Sequence, residues 1–428
     1  MRLADPHLNV FHPYRGPDAS GEAAARQLEN NLTRALAITL TTLGDSPGRT
    51  LLIQELGVSP GAAEGFRRCD LQVSAPDADW PPSAKRSLAI VLGSLADPVS
   101  APGYTAKTGV LDLAIVGDQF VLGIESKVGS NVAQGQLTAH KRTLQIPCSQ
   151  PVSRITWTAL ARCAHSILLE NALEPVPRFV LQQFEEYLRV NGFGGFTNDH
   201  FAYFALSPEE RAAAQPVKEG IRRQLKGLIQ ELHSRWNPAW VDNVGKIGAG
   251  DGDAYAALKP PHSKAGGQLP HLSIAIAPTG LQIFFNVETD LAYNQFLKRW
   301  NANREEFVGL LVDLSPNGGT SALVNAWRLE VLHRIPLPPK LRACRSEPSI
   351  EISAFTAKSM PSPLLSEVIA EAIKKPPGGW SPEIKVVRHY KASFVSSDID
   401  FVDITAEDAR SLEPFFDWIG QPVRKVLG

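Results

Sequence analysis

Three charged residues stand inside an apolar stretch that an ordinary core would not give them: Asp112, Glu125 and Lys127, within VLDLAIVGDQFVLGIESKV from Val110 to Val128. Two carboxylates on one surface can hold a divalent metal ion through hard oxygen ligands, with the lysine as a fixed positive charge beside them. The stretch reads as two strands of seven to nine residues joined at Gly117-Asp118, a dipeptide suited to a two-residue hairpin turn. Pairing Val116 with Gln119 then sets Asp112 opposite Gly123, with Glu125 one diagonal step away. Side chains alternate along a strand, so Asp112, Glu125 and Lys127 share one face. Diagonal neighbours lie about 7–8 Å apart, within reach of one shared ion, and Gly123 is expected to leave the space before Asp112 open. The other reading of the same residues is a partly buried ion-pair cluster, which costs stability unless its hydrogen bonds are made.

Other elements must position these groups. A helix is expected from Ser20 to Leu43, with Ser20 as N-cap, an Ala23-Ala24-Ala25 run and Gly44 as the stop. Its buried stripe is Leu28, Leu32, Leu36, Leu40 and Leu43. At about 100° per residue Glu29 points within about 20° of Leu36 and Leu40, which puts a carboxylate beside that stripe. Thr50–Val58 (TLLIQELGV) reads as a strand, Leu88–Leu95 as a short apolar run between loops, and Asp70 as an ion-pair partner of Arg67 or Arg68. Lys107 reads as exposed. After Lys127, Val132–Leu144 (VAQGQLTAHKRTL) reads as a polar helix on which Gln136 and His140, four apart, share a face, followed by Lys141 and Arg142.

Asp112, a hairpin of apolar residues, then Glu125-Ser126-Lys127 resembles the core motif of the PD-(D/E)XK nucleases, the restriction-endonuclease-like superfamily. Leu111 stands where that motif has proline. A second Glu-x-Lys, Glu383-Ile384-Lys385, has no aspartate ten to twenty residues before it. The resemblance covers about the first half of the chain. It implies an α/β core with a mixed sheet, and Mg²⁺ or Mn²⁺ held by Asp112, Glu125 and the Ser126 carbonyl. Lys127 would orient or help deprotonate the attacking water and offset charge at the phosphate. The first core helix of such proteins often supplies an acid, here Glu29. RecB-like members carry a Gln-x-x-x-Tyr pattern on the following helix; Gln136 matches it and His140 replaces the tyrosine. Lys127, His140, Lys141 and Arg142 become nucleic-acid contacts. The implied activity is metal-dependent hydrolysis of DNA by an endonuclease, with DNA ahead of RNA, in restriction or phage defence. The alternative is a non-catalytic nucleic-acid-binding or scaffold subunit that keeps the nuclease fold.

The composition is that of a soluble globular protein: 428 residues, 43% hydrophobic and 20% charged. The net charge of −1 gives no overall attraction to nucleic acid, so any such surface must be a local patch. Cys69, Cys148, Cys163 and Cys344 form no paired motif, which argues for a reducing compartment without a zinc site. With no signal-like start and no apolar run of eighteen residues, a cytoplasmic protein with no membrane association is expected.

Four segments are expected: a nuclease core over 1–150, a helical extension over 151–240, a Gly/Pro-rich linker over 241–268, and an α+β domain over 269–428. The extension would hold helices Ser153–Glu170, Val176–Val190 and Ser207–Trp236, broken at Pro216. Its loop NGFGGFTNDHF offers Phe193, Phe196 and Phe201 either as base-stacking groups or as core plugs, and Lys218, Arg222, Arg223 and Lys226 form a basic face. Gly248-x-Gly250-x-Gly252 lacks the strand and helix of a nucleotide loop. The last domain opens with a hairpin, His271–Ala277 and Leu281–Val287. A helix at Leu291–Phe307 and a strand at Val308–Leu314 follow, then further antiparallel strands and two helices. No catalytic constellation is visible there; recognition, protein-partner binding or homo-oligomerisation is its expected role.

Overall fold

The structure, a computed structural model, describes residues 11, 22–74, 79–93, 99–100, 109–128, 132–170, 172–236, 241–243, 253–259, 269–314, 326–336, 344–375, 379–397 and 401–421. Ser20, Lys107 and the Gly248–Gly252 stretch lie outside them. The protein is mixed α/β and divides into two compact units, Met1–His200 with Ala214–Gln224, and Phe201–Ala213 with Leu225–Gly428.

The first unit begins with α1 (Glu22–Thr42), whose Leu32, Leu36 and Leu40 are fully buried. Thr33 and Thr39 satisfy their hydroxyls on the carbonyls of Glu29 and Ala35 one turn back. Next come α2 (Pro47–Glu55), α3 (Pro60–Ala63), β1 (Phe66–Val73), β2 (Lys85–Leu92), β3 (Val99–Ser100), β4 (Leu111–Gly117), β5 (Phe120–Lys127), β6 (Val132–Ala133), α4 (Gln134–Thr143), β7 (Ser153–Thr156), α5 (Trp157–Glu170) and α6 (Pro175–Val190). The strand expected at Thr50–Val58 is instead α2 and its end. Pro47 occupies the first helical turn, Leu52, Ile53 and Leu56 are buried at helical spacing, and Gly57 stops the helix at φ +95. The helix expected from Ser153 starts four residues later, because Ser153–Thr156 pairs in parallel with β2 as an edge strand.

Five strands form the main sheet in the order β1-β4-β5-β2-β7. β4 pairs antiparallel with both β1 and β5, while β5, β2 and β7 run parallel. β2 shows the continuous apolar run of a strand covered on both faces, with Leu88 to Leu92 essentially without solvent contact. On one face Leu88, Ile90, Leu92, Ala114, Val116 and Val121 pack with Leu137 and Leu144, so α4 covers that face. α1 packs on β1, β4 and β5, and α6 and α5 pack on α1 and α2 respectively.

The hairpin register differs from the expected one by two residues. Val116 pairs with Val121 and Ala114 with Gly123, so the connection is Gly117 to Phe120 rather than Gly117-Asp118 alone. The wider connection buries the Phe120 ring in the space that a side chain on Gly117 would fill, and Asp118 is tied back by its N–H to Gly65 O at 2.8 Å and by its carboxylate to Arg67. Because the pleat repeats every two residues, the slip leaves Asp112 on the face of Glu125 and moves it from a diagonal to a directly opposite position. Nor does Gly123 open space before Asp112: a Cβ there would meet Leu144 at 2.7 Å and Leu111 at 3.1 Å.

In the chain that follows, α7 (Asn198–Ala202) lies in the loop expected before Ser207, and the helix expected to break at Pro216 is divided into α8 (Pro208–Ala213) and α9 (Gln215–Trp236). The second unit is built on a seven-stranded antiparallel sheet, β13-β12-β14-β11-β10-β9-β8. Its strands are β8 (Val241–Asn243), β9 (Ala254–Lys259), β10 (His271–Ala277), β11 (Gly280–Val287), β12 (Trp327–Pro336), β13 (Cys344–Ser353) and β14 (Glu383–Lys391). β8 and β9 fall inside the stretch expected to be linker. Its helices are α10 (Asp290–Asp313), α11 (Ala354–Ser359), α12 (Ser362–Ala372), α13 (Ala392–Ser397) and α14 (Phe401–Trp418). Phe285 of the sheet meets Phe415 and Phe416 of α14, and Phe296 and Phe307 of α10 meet Trp418. The strand expected at Val308–Leu314 is the second half of α10, which resumes after a non-helical residue at Asn303. Among the described residues no helix is long and apolar enough to cross a membrane.

Candidate active site

β4 brings Asp112, β5 brings Glu125, Ser126 and Lys127, α1 brings Glu29, and α4 brings Gln136 and His140. Glu125 is the centre of the cluster and is only 1% exposed. Lys127 Nζ lies 2.6 Å from Glu125 Oε1, and Gln136 Nε2 donates to the same oxygen. His140 Nε2 stands 2.8 Å from Glu125 Oε2, an ion-pair distance without the orientation of a hydrogen bond. Asp112 Oδ2 accepts the Ser126 N–H at 2.8 Å. Glu29 Oε1 accepts the Val128 N–H at 2.7 Å, and its other oxygen lies 3.8 Å from Lys127 Nζ. Glu29, Lys127, Glu125 and Gln136 are thus joined by side-chain contacts, and Asp112 meets the same strand through the Ser126 N–H.

Burial, then the charge of Glu125, pushes the Asp112 carboxyl up to about 6, against the pull of the Ser126 N–H, Lys127 and His140. For Glu125, burial acts to raise its pKa but His140 and Lys127 outweigh it and hold the carboxyl below the usual range. Burial would lower Lys127, yet Glu125, with Glu29 and Asp112 behind it, holds the ammonium above its ordinary value. One carboxylate is thus compensated and its neighbour is not.

A hard divalent cation fits this donor set. Asp112 carries charge that its surroundings do not offset, and Glu125 Oε2 is buried without a hydrogen bond. Lys127 O is taken by the Gly93 N–H, whereas Ser126 turns its N–H toward Asp112, and a strand residue's C=O points to the same side as its N–H. The set is two carboxylates and a carbonyl; among the described residues no group of three or more His, Cys, Asp or Glu is arranged to hold a metal.

The expected nucleic-acid contacts fare differently from one another. His140 is 1% exposed and faces Glu125. Lys141 is 6% exposed, and its ammonium donates to Cys148 O at 2.7 Å and to Gln150 O, so it clamps the chain after α4 instead of reaching outward. Arg142 is exposed. Asp70 pairs with Arg68 at 2.8 Å. Phe193, Phe196 and Phe201 are all buried and act as core plugs, which removes the stacking reading. The basic face of α9 is interrupted: Arg223 donates to Asn191 O at 2.6 Å and lies over Phe193, and Arg222 pairs with Glu219. The sequence reading missed His140 as a buried neighbour of Glu125; the signal was its four-residue spacing from Gln136, which puts both on the face that looks at β5. Compared with known proteins, the chain matches no family model and no curated relative.

Proposed function

We propose that the protein is a metal-dependent deoxyribonuclease of the PD-(D/E)XK kind, hydrolysing DNA phosphodiester bonds with Mg²⁺ or Mn²⁺. The observation that carries this reading is the convergence of Asp112, Glu125 and Lys127 on one sheet face, with Asp112 left in need of positive charge. The elements around the site support it too: an acid-bearing first helix, the antiparallel neighbours β1-β4-β5 that include the Asp and Glu-x-Lys strands, a helix over the site, and the parallel strands β2 and β7 beside them.

Asp112, Glu125 and the Ser126 carbonyl would hold the cation, which supplies Lewis acidity at the scissile phosphate and makes water a readier nucleophile. Lys127 is held protonated by Glu125 and Glu29, which suits it to offset negative charge in the transition state and to orient the attacking water rather than to act as a base. Glu29 holds the end of β5 through the Val128 N–H and so places Lys127. Gln136 and His140 brace Glu125 from α4.

A second reading, a nucleic-acid-binding or scaffold subunit without catalysis, draws on one observation: both oxygens of Glu125 already have side-chain neighbours within the protein. Purified protein incubated with plasmid, linear and single-stranded DNA and with RNA, in Mg²⁺, Mn²⁺ or EDTA, separates the two. Cutting of DNA that needs metal and falls about a hundredfold or more in Lys127→Ala and Asp112→Ala supports the nuclease. Metal-dependent cutting that survives both substitutions sinks the site assignment, and cutting of no substrate favours the binding subunit.

A further inference from the structure

Gly109 lies two residues before β4 and three before Asp112, buried against α4. Its backbone is outside the left-handed region, so no conformational requirement calls for glycine there. The requirement is spatial. A Cβ on Gly109 would stand 2.4 Å from His140 Nδ1, 3.0 Å from His140 Cε1 and 3.0 Å from the His140 backbone nitrogen. The Thr143 hydroxyl donates to Gly109 O at 2.6 Å, which fixes the two segments together at this point. On the far side of the same ring, Nε2 faces Glu125 Oε2 at 2.8 Å.

We propose that Gly109 is a positioning residue of the candidate site: its missing side chain is the space in which the His140 ring is seated against Glu125. The ring is closed in by the chain leading to Asp112 on one side and by the Glu125 carboxylate on the other, so it sets the distance between the strand that carries Asp112 and the helix that braces Glu125. A methyl group at position 109 has no small relief available, since the His140 main chain is in contact as well as its ring, and the ring is buried. The displacement is delivered to Glu125, at the centre of the network, and its catalytic consequence rests on the nuclease reading above.

The test is a double-substitution cycle on the full chain with Gly109→Ala, His140→Ala and the pair, read by melting without metal and by steady-state DNA cleavage. An ordinary glycine-to-alanine change at a compatible backbone is neutral or mildly stabilising. Gly109→Ala is expected to lower the melting temperature when His140 is present and to lower it clearly less in the His140→Ala background, where only the main-chain contact at position 140 remains. In cleavage it is expected to reduce kcat about tenfold or more with KM for DNA within about threefold, and the pair is expected to be no worse than the poorer single variant. Equal melting shifts in both backgrounds overturn the seating. Coupled melting with unchanged kcat in a cleaving protein overturns the positioning role. If the wild-type protein cuts nothing, the nuclease reading has failed by itself, and the melting cycle still decides whether Gly109 seats His140.

Discussion

Asp112→Asn is expected to make the metal-free protein more stable while abolishing cleavage. In the folded protein the carboxyl of Asp112 is raised to about 6, whereas in the unfolded chain it returns to about 3.9. Above the folded value the ionised group therefore opposes folding, and the difference of roughly two pH units corresponds to about 3 kcal/mol. The amide removes the charge but keeps an oxygen that can accept the Ser126 N–H, so the hydrogen bond is retained. Spread over a unit of this size, about 2–3 kcal/mol raises the melting temperature by roughly 5–10 °C. The sign has a pH signature. The penalty in the wild-type protein is complete above about pH 6 and vanishes as the pH falls below about 4, so the advantage of Asp112→Asn must shrink over that window. Thermal melts in EDTA from pH 8 to pH 4 read it directly. Saturating Mg²⁺ should then stabilise the wild-type protein more than the variant, reversing the order. A variant that melts below the wild-type protein at pH 7.5 in EDTA, or an advantage that does not change with pH, would refute the reasoning.

Lys141→Met keeps the buried stem but leaves Cys148 O and Gln150 O without their donor; a loss of about 2–3 kcal/mol in denaturant unfolding is expected, with DNA affinity in a filter or fluorescence assay within about twofold. Phe193→Ala should cost about 3–5 kcal/mol of stability and leave single-strand binding unchanged, because the ring is a core plug with no solvent contact to stack on a base.

The site was legible because its geometry depends on local periods. Alternation along β4 and β5 places Asp112, Glu125 and Lys127 on one face whether the connecting turn has two residues or four, and the helical angle that brings Glu29 to the Leu36 and Leu40 side of α1 needs no tertiary information. What was not legible depends on distant partners. TLLIQELGV has the apolar content of a strand, and only its burial pattern and the stops at Pro47 and Gly57 make it α2. Val308–Leu314 reads as a strand until Asn303 is seen to interrupt α10 without ending it. Ser153–Thr156 becomes β7 only because β2, more than sixty residues earlier, offers it an edge. β8 and β9 lie in a stretch whose Gly and Pro content suggests a linker, yet each finds an antiparallel neighbour. Lys141 looked like a phosphate contact because nothing local reveals the two carbonyls that hold it.

The place of β2 bears on how the protein comes into being on the ribosome. That strand is made before β4 and β5, but both of its neighbours, β5 and β7, are made after it, and both pair with it in parallel. Pairing of this kind must close long loops before it gains any contacts, which makes it slow. A nascent chain that has just released Lys127 already contains Glu29, Asp112 and Glu125, but neither α4 nor β7. Its carboxylates then have no Gln136 or His140 to brace them and no complete sheet beneath them. The charged cluster is therefore complete only after Gln136 and His140 of α4, and the edge strand Ser153–Thr156, have been made.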